Sequence, residues 1–109
     1  MTLEEAILCA VCCESRPFVD DSLIKDVYTF LGRKVDPGEI SQAVWSRAID
    51  KKPEDDLRGR ELIEFVAITE GKYTGNIKWV ITKQGAHEAM KAMRAAVQLV
   101  REKEKNGRI

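Results

Sequence analysis

The chain has 109 residues, 44% of them hydrophobic and 33% charged, which suits one globular domain with a modest core and excludes a disordered polymer. Its 18 basic and 18 acidic residues cancel, which argues against a strongly basic nucleic-acid binder. No apolar run approaches the roughly 20 residues of a membrane span, and MTLEEAIL carries acids where a secretion signal carries Lys or Arg, so a cytoplasmic, reducing setting is expected.

The distribution of charge says more than its sum. Residues 1–31 hold six acidic and two basic groups, whereas residues 86–109 hold six basic and three acidic. The drift gives weak support to an anionic partner. In chain order, Thr2 followed by Glu5 forms a capping box, and Leu3, Ala6, Ile7, Ala10 and Cys13 recur at helical spacing. A first helix is therefore predicted to end near Glu14. Cys9 lies three and four residues before Cys12 and Cys13, so a helix places all three on one side. No second ligand pair accompanies them and the single histidine, His87, is distant, so small buried thiols are expected rather than zinc. A redox-sensing or metal-sharing role is the alternative. SRPF breaks the helix, because Pro17 disfavours a helical conformation at Arg16. Asp20 or Asp21 can cap a second helix, whose apolar set is Leu23, Ile24, Val27, Phe30 and Leu31; Gly32 suits a left-handed stop.

Asp36, Pro37 and Glu39 read as cap, first helical residue and reciprocal cap. They predict a third helix over 37–50 that buries Ile40, Val44 and Ala48, with Trp45 or Ile49 beside them. Its outward set is Ser41, Gln42, Trp45, Ser46 and Arg47. KKPEDDLRGR is a polar loop with Pro53 and Gly59. LIEFVAIT and NIKWVIT are rich in β-branched and aromatic residues and flank EGKYTG, whose Gly71 and Gly75 permit reversal. A hairpin over 61–69 and 76–82 is predicted, with Ile77, Trp79 and Ile81 on its buried face. Thr82 then caps a long Ala-rich helix with a frayed tail, KEKNGRI. In that helix Ala86, Met90, Met93, Val97 and Val100 are spaced by four, three, four and three, as in a coiled-coil seam, which predicts a homodimer. Ala89, Ala92, Ala96 and Leu99 add a second small apolar face for packing on the domain. The alternative is one amphipathic helix folded back on its own core.

The expected class is mainly α, α+β, in the order helix, helix, helix, strand, strand, helix. That order, together with KWVITKQGAHEAM, resembles a winged helix-turn-helix domain, with MarR-like and PadR-like transcriptional regulators the nearest comparison. Trp79, Ile81, Thr82 and Gly85 match the phrase aromatic–x–[Leu/Ile]–Thr–x–x–Gly with which many such regulators leave the wing. The resemblance implies a winged domain over 1–85, a dimerisation helix over 86–109, and double-stranded DNA as partner. Helix 37–50 then enters the major groove and the hairpin 61–82 serves as wing. Gln42 suits adenine and Arg47 suits guanine or phosphate. Arg33, Lys34, Lys51 and Lys52 are expected to clamp phosphates, with Lys72, Tyr73 and Asn76 assisting from the wing. The connection Lys51–Arg60 is longer than this family's usual turn, and its acids Glu54, Asp55 and Asp56 are expected near phosphates.

The second class is a protein-interaction adaptor without DNA binding, in which Trp45 anchors an interface. An enzyme is not expected. One histidine supplies no Ser–His–carboxylate set, and no Gly-rich phosphate cradle or metal-ligand pattern appears, so no catalytic residue, metal or cofactor is assigned.

Overall fold

A computed structural model describes residues 1–13 and 21–106. Its elements are α1 (Leu3–Cys13), α2 (Asp21–Leu31), α3 (Pro37–Val44), β1 (Ile63–Ala67), β2 (Ile77–Ile81) and α4 (Lys83–Asn106), with one 3-10 turn at Pro53–Asp55. The fold is mixed α+β, four helices with one antiparallel hairpin and a long C-terminal helix. Expectations for Glu14, the SRPF breaker, the Asp20 cap and the end of the tail fall outside the described residues.

Helix α1 organises the core. Ala6 through Val11 are six consecutive buried residues, so the helix is enclosed on every side over that stretch. Helices α2, α3, α4 and strand β2 all pack on it. Its start is secured as the Thr2–Glu5 pair predicts: Thr2 N–H donates to Glu5 Oε1 at 2.8 Å and Glu5 N–H donates to Thr2 Oγ1 at 3.2 Å. Leu23 and Val27 bury the inner face of α2, and Gly32 closes that helix at φ 82°, donating its N–H to the Tyr28 carbonyl. Glu39 accepts the Asp36 N–H at 3.1 Å at the start of α3, with Pro37 in the first turn.

The three cysteines divide by depth. Cys9 is buried and points its thiol at the Ala89 carbonyl of α4, 3.6 Å away; Cys12 is half-buried and Cys13 is exposed. The expectation of mostly buried thiols holds at Cys9 and fails at Cys13, because the wrapping around α1 ends with Val11 and Cys12. Burial pushes the Cys9 thiol up to about 11, with Cys12, Cys13 and Glu5 adding to the effect.

Strand pairing runs Ile63 to Ile81, Phe65 to Trp79 and Ala67 to Ile77. Ile63 and Trp79 are buried, but Ile77 is 47% exposed, so the expected inner face of β2 is lost towards the tip. Beyond the Phe65–Trp79 pair the hairpin leaves the core. At its base, Thr82 ties three segments together. Its hydroxyl donates to the Glu61 carbonyl (2.7 Å) and accepts the Gly85 N–H (3.0 Å), while its own N–H donates to the Leu62 carbonyl (3.1 Å). A Cβ on Gly85 would collide with the Leu62 carbonyl, so only glycine lets α4 start this close to the hairpin.

The thiol depths set a labelling order. At pH 8, a thiol reagent should modify Cys13 fastest, Cys12 more slowly and Cys9 only on the timescale of unfolding. Equal fast labelling of all three, read by mass spectrometry of the native protein, would refute this packing of α1.

Candidate functional site

Helix α3 presents Ser41 and Gln42 to solvent while Ile40 and Val44 point into the core. The helix ends at Val44, with Trp45 as C-cap, which corrects the expected span to Asp50. The reason lies in where the next N–H groups go. In a continuing helix, Ser46, Arg47 and Ala48 would donate to the carbonyls of residues 42–44. Instead Ser46 N–H donates to Asp56 Oδ2 (2.8 Å), Arg47 N–H to Gln42 Oε1 (3.4 Å) and Ala48 N–H to Ser46 Oγ (3.3 Å). The returning loop takes the vacated carbonyls: Leu57 N–H donates to Ala43 (2.9 Å) and Arg58 N–H to Val44 (3.0 Å). Consequently Trp45, Ser46 and Arg47 lie beyond the helix. Ala48 and Ile49, expected in the core, are both exposed, Ile49 completely.

Asp56 makes this arrangement. Its side chain is buried, with Oδ2 accepting from Ser46 N–H and from Lys51 Nζ at 3.1 Å, and Oδ1 accepting from Gly59 N–H at 2.6 Å. Burial pushes the carboxyl up, but the Gly59 and Ser46 amides and the Lys51 ammonium outweigh it, and the net position is below the usual carboxylate range. A side chain on Gly59 would strike the Pro53 carbonyl, so the turn needs glycine there. The acid that the sequence places near phosphates is thus turned inward. Glu54 and Asp55 remain exposed, and Asp55 accepts the Lys52 N–H at 2.8 Å.

Around the end of α3 stands an aromatic ladder. Trp45, 45% exposed, meets Phe65 edge-on, with centroids 6.1 Å apart and planes at 79°; Phe65 stacks on buried Trp79 at 6.5 Å. Lys51 Nζ lies 5.3 Å from the Trp45 centroid, and the Arg58 guanidinium 5.2 Å from Trp45 and 4.7 Å from Phe65. The structure therefore brings Gln42, Trp45, Ser46, Arg47 and Lys51 together at the C-terminal end of α3, with Ser41 in the middle of the helix and Lys52 in the loop beyond. Arg33 and Lys34 sit in the turn before it, both exposed, Arg33 donating to the Lys34 carbonyl at 3.3 Å. Lys72 and Tyr73 stand apart at the hairpin tip, with Lys72 Nζ 5.9 Å from the Tyr73 centroid.

Asp56, Arg58 and Phe65 are the members that a linear reading misses. For Asp56 a signal exists: Asp three residues before Gly is the spacing at which a carboxylate accepts a downstream amide. Arg58 and Phe65 join the site only through the fold of the loop.

On α4, Ala89 and Ala92 are buried against the domain and Ala96 is half-buried, whereas Leu99, expected on that packing face, is 58% exposed because the helix runs on past the domain. Of the proposed seam, Met90, Val97 and Val100 are 50–56% exposed and Ala86 and Met93 half-buried. Met93 and Val97 also line a shallow groove with Met1, Thr29 and Phe30.

No family model, curated protein or solved structure matches the chain. Among the described residues no helix is long and apolar enough to cross a membrane, and no three His, Cys, Asp or Glu side chains gather as metal ligands would.

Asp56→Ala should lower stability at pH 7 by about 3 kcal/mol, since it orphans two amides and the Lys51 ammonium. Because the folded carboxyl titrates below its unfolded value, its contribution is complete above about pH 4 and fades as pH falls through the folded pKa. Thermal melts of wild type and variant should therefore converge in acid.

Proposed function

We propose that the chain is a winged helix-turn-helix protein that binds double-stranded DNA and regulates transcription, with α3 as reading helix and the β1–β2 hairpin as wing. One observation carries this reading. The exposed polar turn of Ser41 and Gln42 is flanked in the chain by exposed cations, Arg47, Lys52 and Arg58 after the helix and Arg33 and Lys34 before it, and one acid of the following loop, Asp56, is buried and paired with Lys51. The reading helix is two turns long, so Gln42 and Ser41 face base edges and Arg47 approaches from the loop. The Trp79–Ile81–Thr82–Gly85 exit from the wing supports the same class, since Thr82 and Gly85 fix α4 to the hairpin base. The exposed Met90, Val97 and Val100 stripe on α4 supports pairing of two copies, which suits an inverted-repeat site with half-sites about one helical turn apart.

A protein-interaction adaptor is the second reading. Trp45 and fully exposed Ile49 favour it, because exposed large apolar groups are typical interface anchors.

Selection of bound sequences from random duplex DNA tests the first reading, with sedimentation of the intact protein alongside. Gln42→Ala should cost roughly 1–3 kcal/mol at the preferred site and relax the base choice there. Lys34→Ala or Lys72→Ala should weaken binding to all sequences alike and reduce the salt slope by about one. Sedimentation should show a dimer at tens of micromolar; a monomer would remove the α4 pairing. Absence of binding to the pool at about 50 mM salt, with capture of a protein partner lost in Trp45→Ala, replaces the regulator with the adaptor.

A further inference from the structure

We infer that Arg58 is a preset clamp for a backbone phosphate of duplex DNA, a role that rests on the DNA-binding reading and deepens it. Its main chain is fixed against the end of α3, where its N–H donates to the Val44 carbonyl, and Leu57 before it is fully buried. Its guanidinium lies in the corner between two nearly perpendicular rings, 5.2 Å from Trp45 and 4.7 Å from Phe65. Aromatic rings attract the cation through their electron-rich faces and take none of its N–H donors. Among the described residues, the Arg58 side chain makes no hydrogen bond or ion pair, so its donors are all left for a ligand. The neighbouring cations differ. Lys51 gives a donor to Asp56, Arg33 gives one to the Lys34 carbonyl, and among the described residues no ring contact holds Arg47 or Lys52. Arg58 is thus the cation of this face that is both held in place and unspent.

A planar fork held open in this way matches the oxygens of a phosphate, to which it can donate two parallel hydrogen bonds. Holding the long side chain in position beforehand also removes part of the ordering entropy that an unrestrained arginine loses on binding. Position decides between phosphate and guanine. Arg58 stands past the C-terminal end of α3 at the base of the hairpin, not on the outward turn with Ser41 and Gln42. In the homeodomain form of helix-turn-helix docking, the C-terminal end of the reading helix meets the backbone.

The test measures affinity of the full chain for the selected duplex and for a random duplex, each across a salt series, beside thermal melts. Arg58→Met keeps an aliphatic stem on the two rings and removes the charge. It should weaken binding to both duplexes by about tenfold and reduce the slope of log affinity against log salt by about 0.9, with a melting curve close to wild type. Arg58→Lys keeps the charge without the fork and should recover the slope but only part of the affinity. Phe65→Leu, which removes one wall of the corner, should weaken binding with the slope unchanged. Wild-type affinity and slope in Arg58→Met overturn the assignment while the DNA-binding reading stands. Loss confined to one base pair of the selected site makes Arg58 a base reader and overturns the phosphate role. No binding of the wild-type protein to any duplex removes both.

Discussion

A single buried carboxylate, that of Asp56, sets the shape of the candidate face. By accepting the Ser46 amide it takes the first N–H that would have extended α3, and the chain turns out of the helix at Trp45. By accepting the Gly59 amide it closes the loop that returns Leu57 and Arg58 to the carbonyls of Ala43 and Val44. By drawing in Lys51 it holds that ammonium over Trp45. A charge out of water is tolerable only when so fully satisfied. The loop is therefore an ordered platform, and the cations and aromatic rings on it inherit its positions.

Beneath that platform the fold is a wrapper around α1. Because six successive residues of this helix are out of water, neighbours must cover every side of it, and the hairpin can contribute only its base. The pair Ile63–Ile81 and the pair Phe65–Trp79 supply that cover; past them the strands have nothing beneath and project. The same arithmetic applies to α4. Ala89 and Ala92 are small enough to seat against α1 beside Cys9, while its later turns run beyond any partner in the domain.

Elements whose determinants are local were readable from the residues. The Thr2–Glu5 box, the Gly32 stop, the Thr82 cap and the close approach at Gly85 each depend on groups a few positions apart or on one missing Cβ. The order of helices and the hairpin followed from apolar spacing. What failed was the end of α3, because the pattern Ile40, Val44, Ala48 is a helical period that nothing local interrupts. The interruption comes from Asp56, ten residues after Ser46, through a contact that no spacing reveals. The same distance hid Arg58 and Phe65 from the site, and it made the acidic run look uniformly exposed when one of its three members is buried. Cys13 and Ile77 were misjudged for a simpler reason: periodicity identifies a face but not how far the covering layer extends.

Thr82 has a mechanical consequence. Its hydroxyl and amide join the last residues before β1 to the first turn of α4, and Gly85 removes the slack between them, so hairpin and helix share one fixed angle. Helix α4 has 24 residues, and at about 1.5 Å per residue it forms a lever roughly 36 Å long, whose far end moves by about 6 Å for each 10° of tilt. Whatever grips the outer end of that lever sets the pitch of the hairpin at the other. The inclination of the hairpin is then steered from the opposite end of α4.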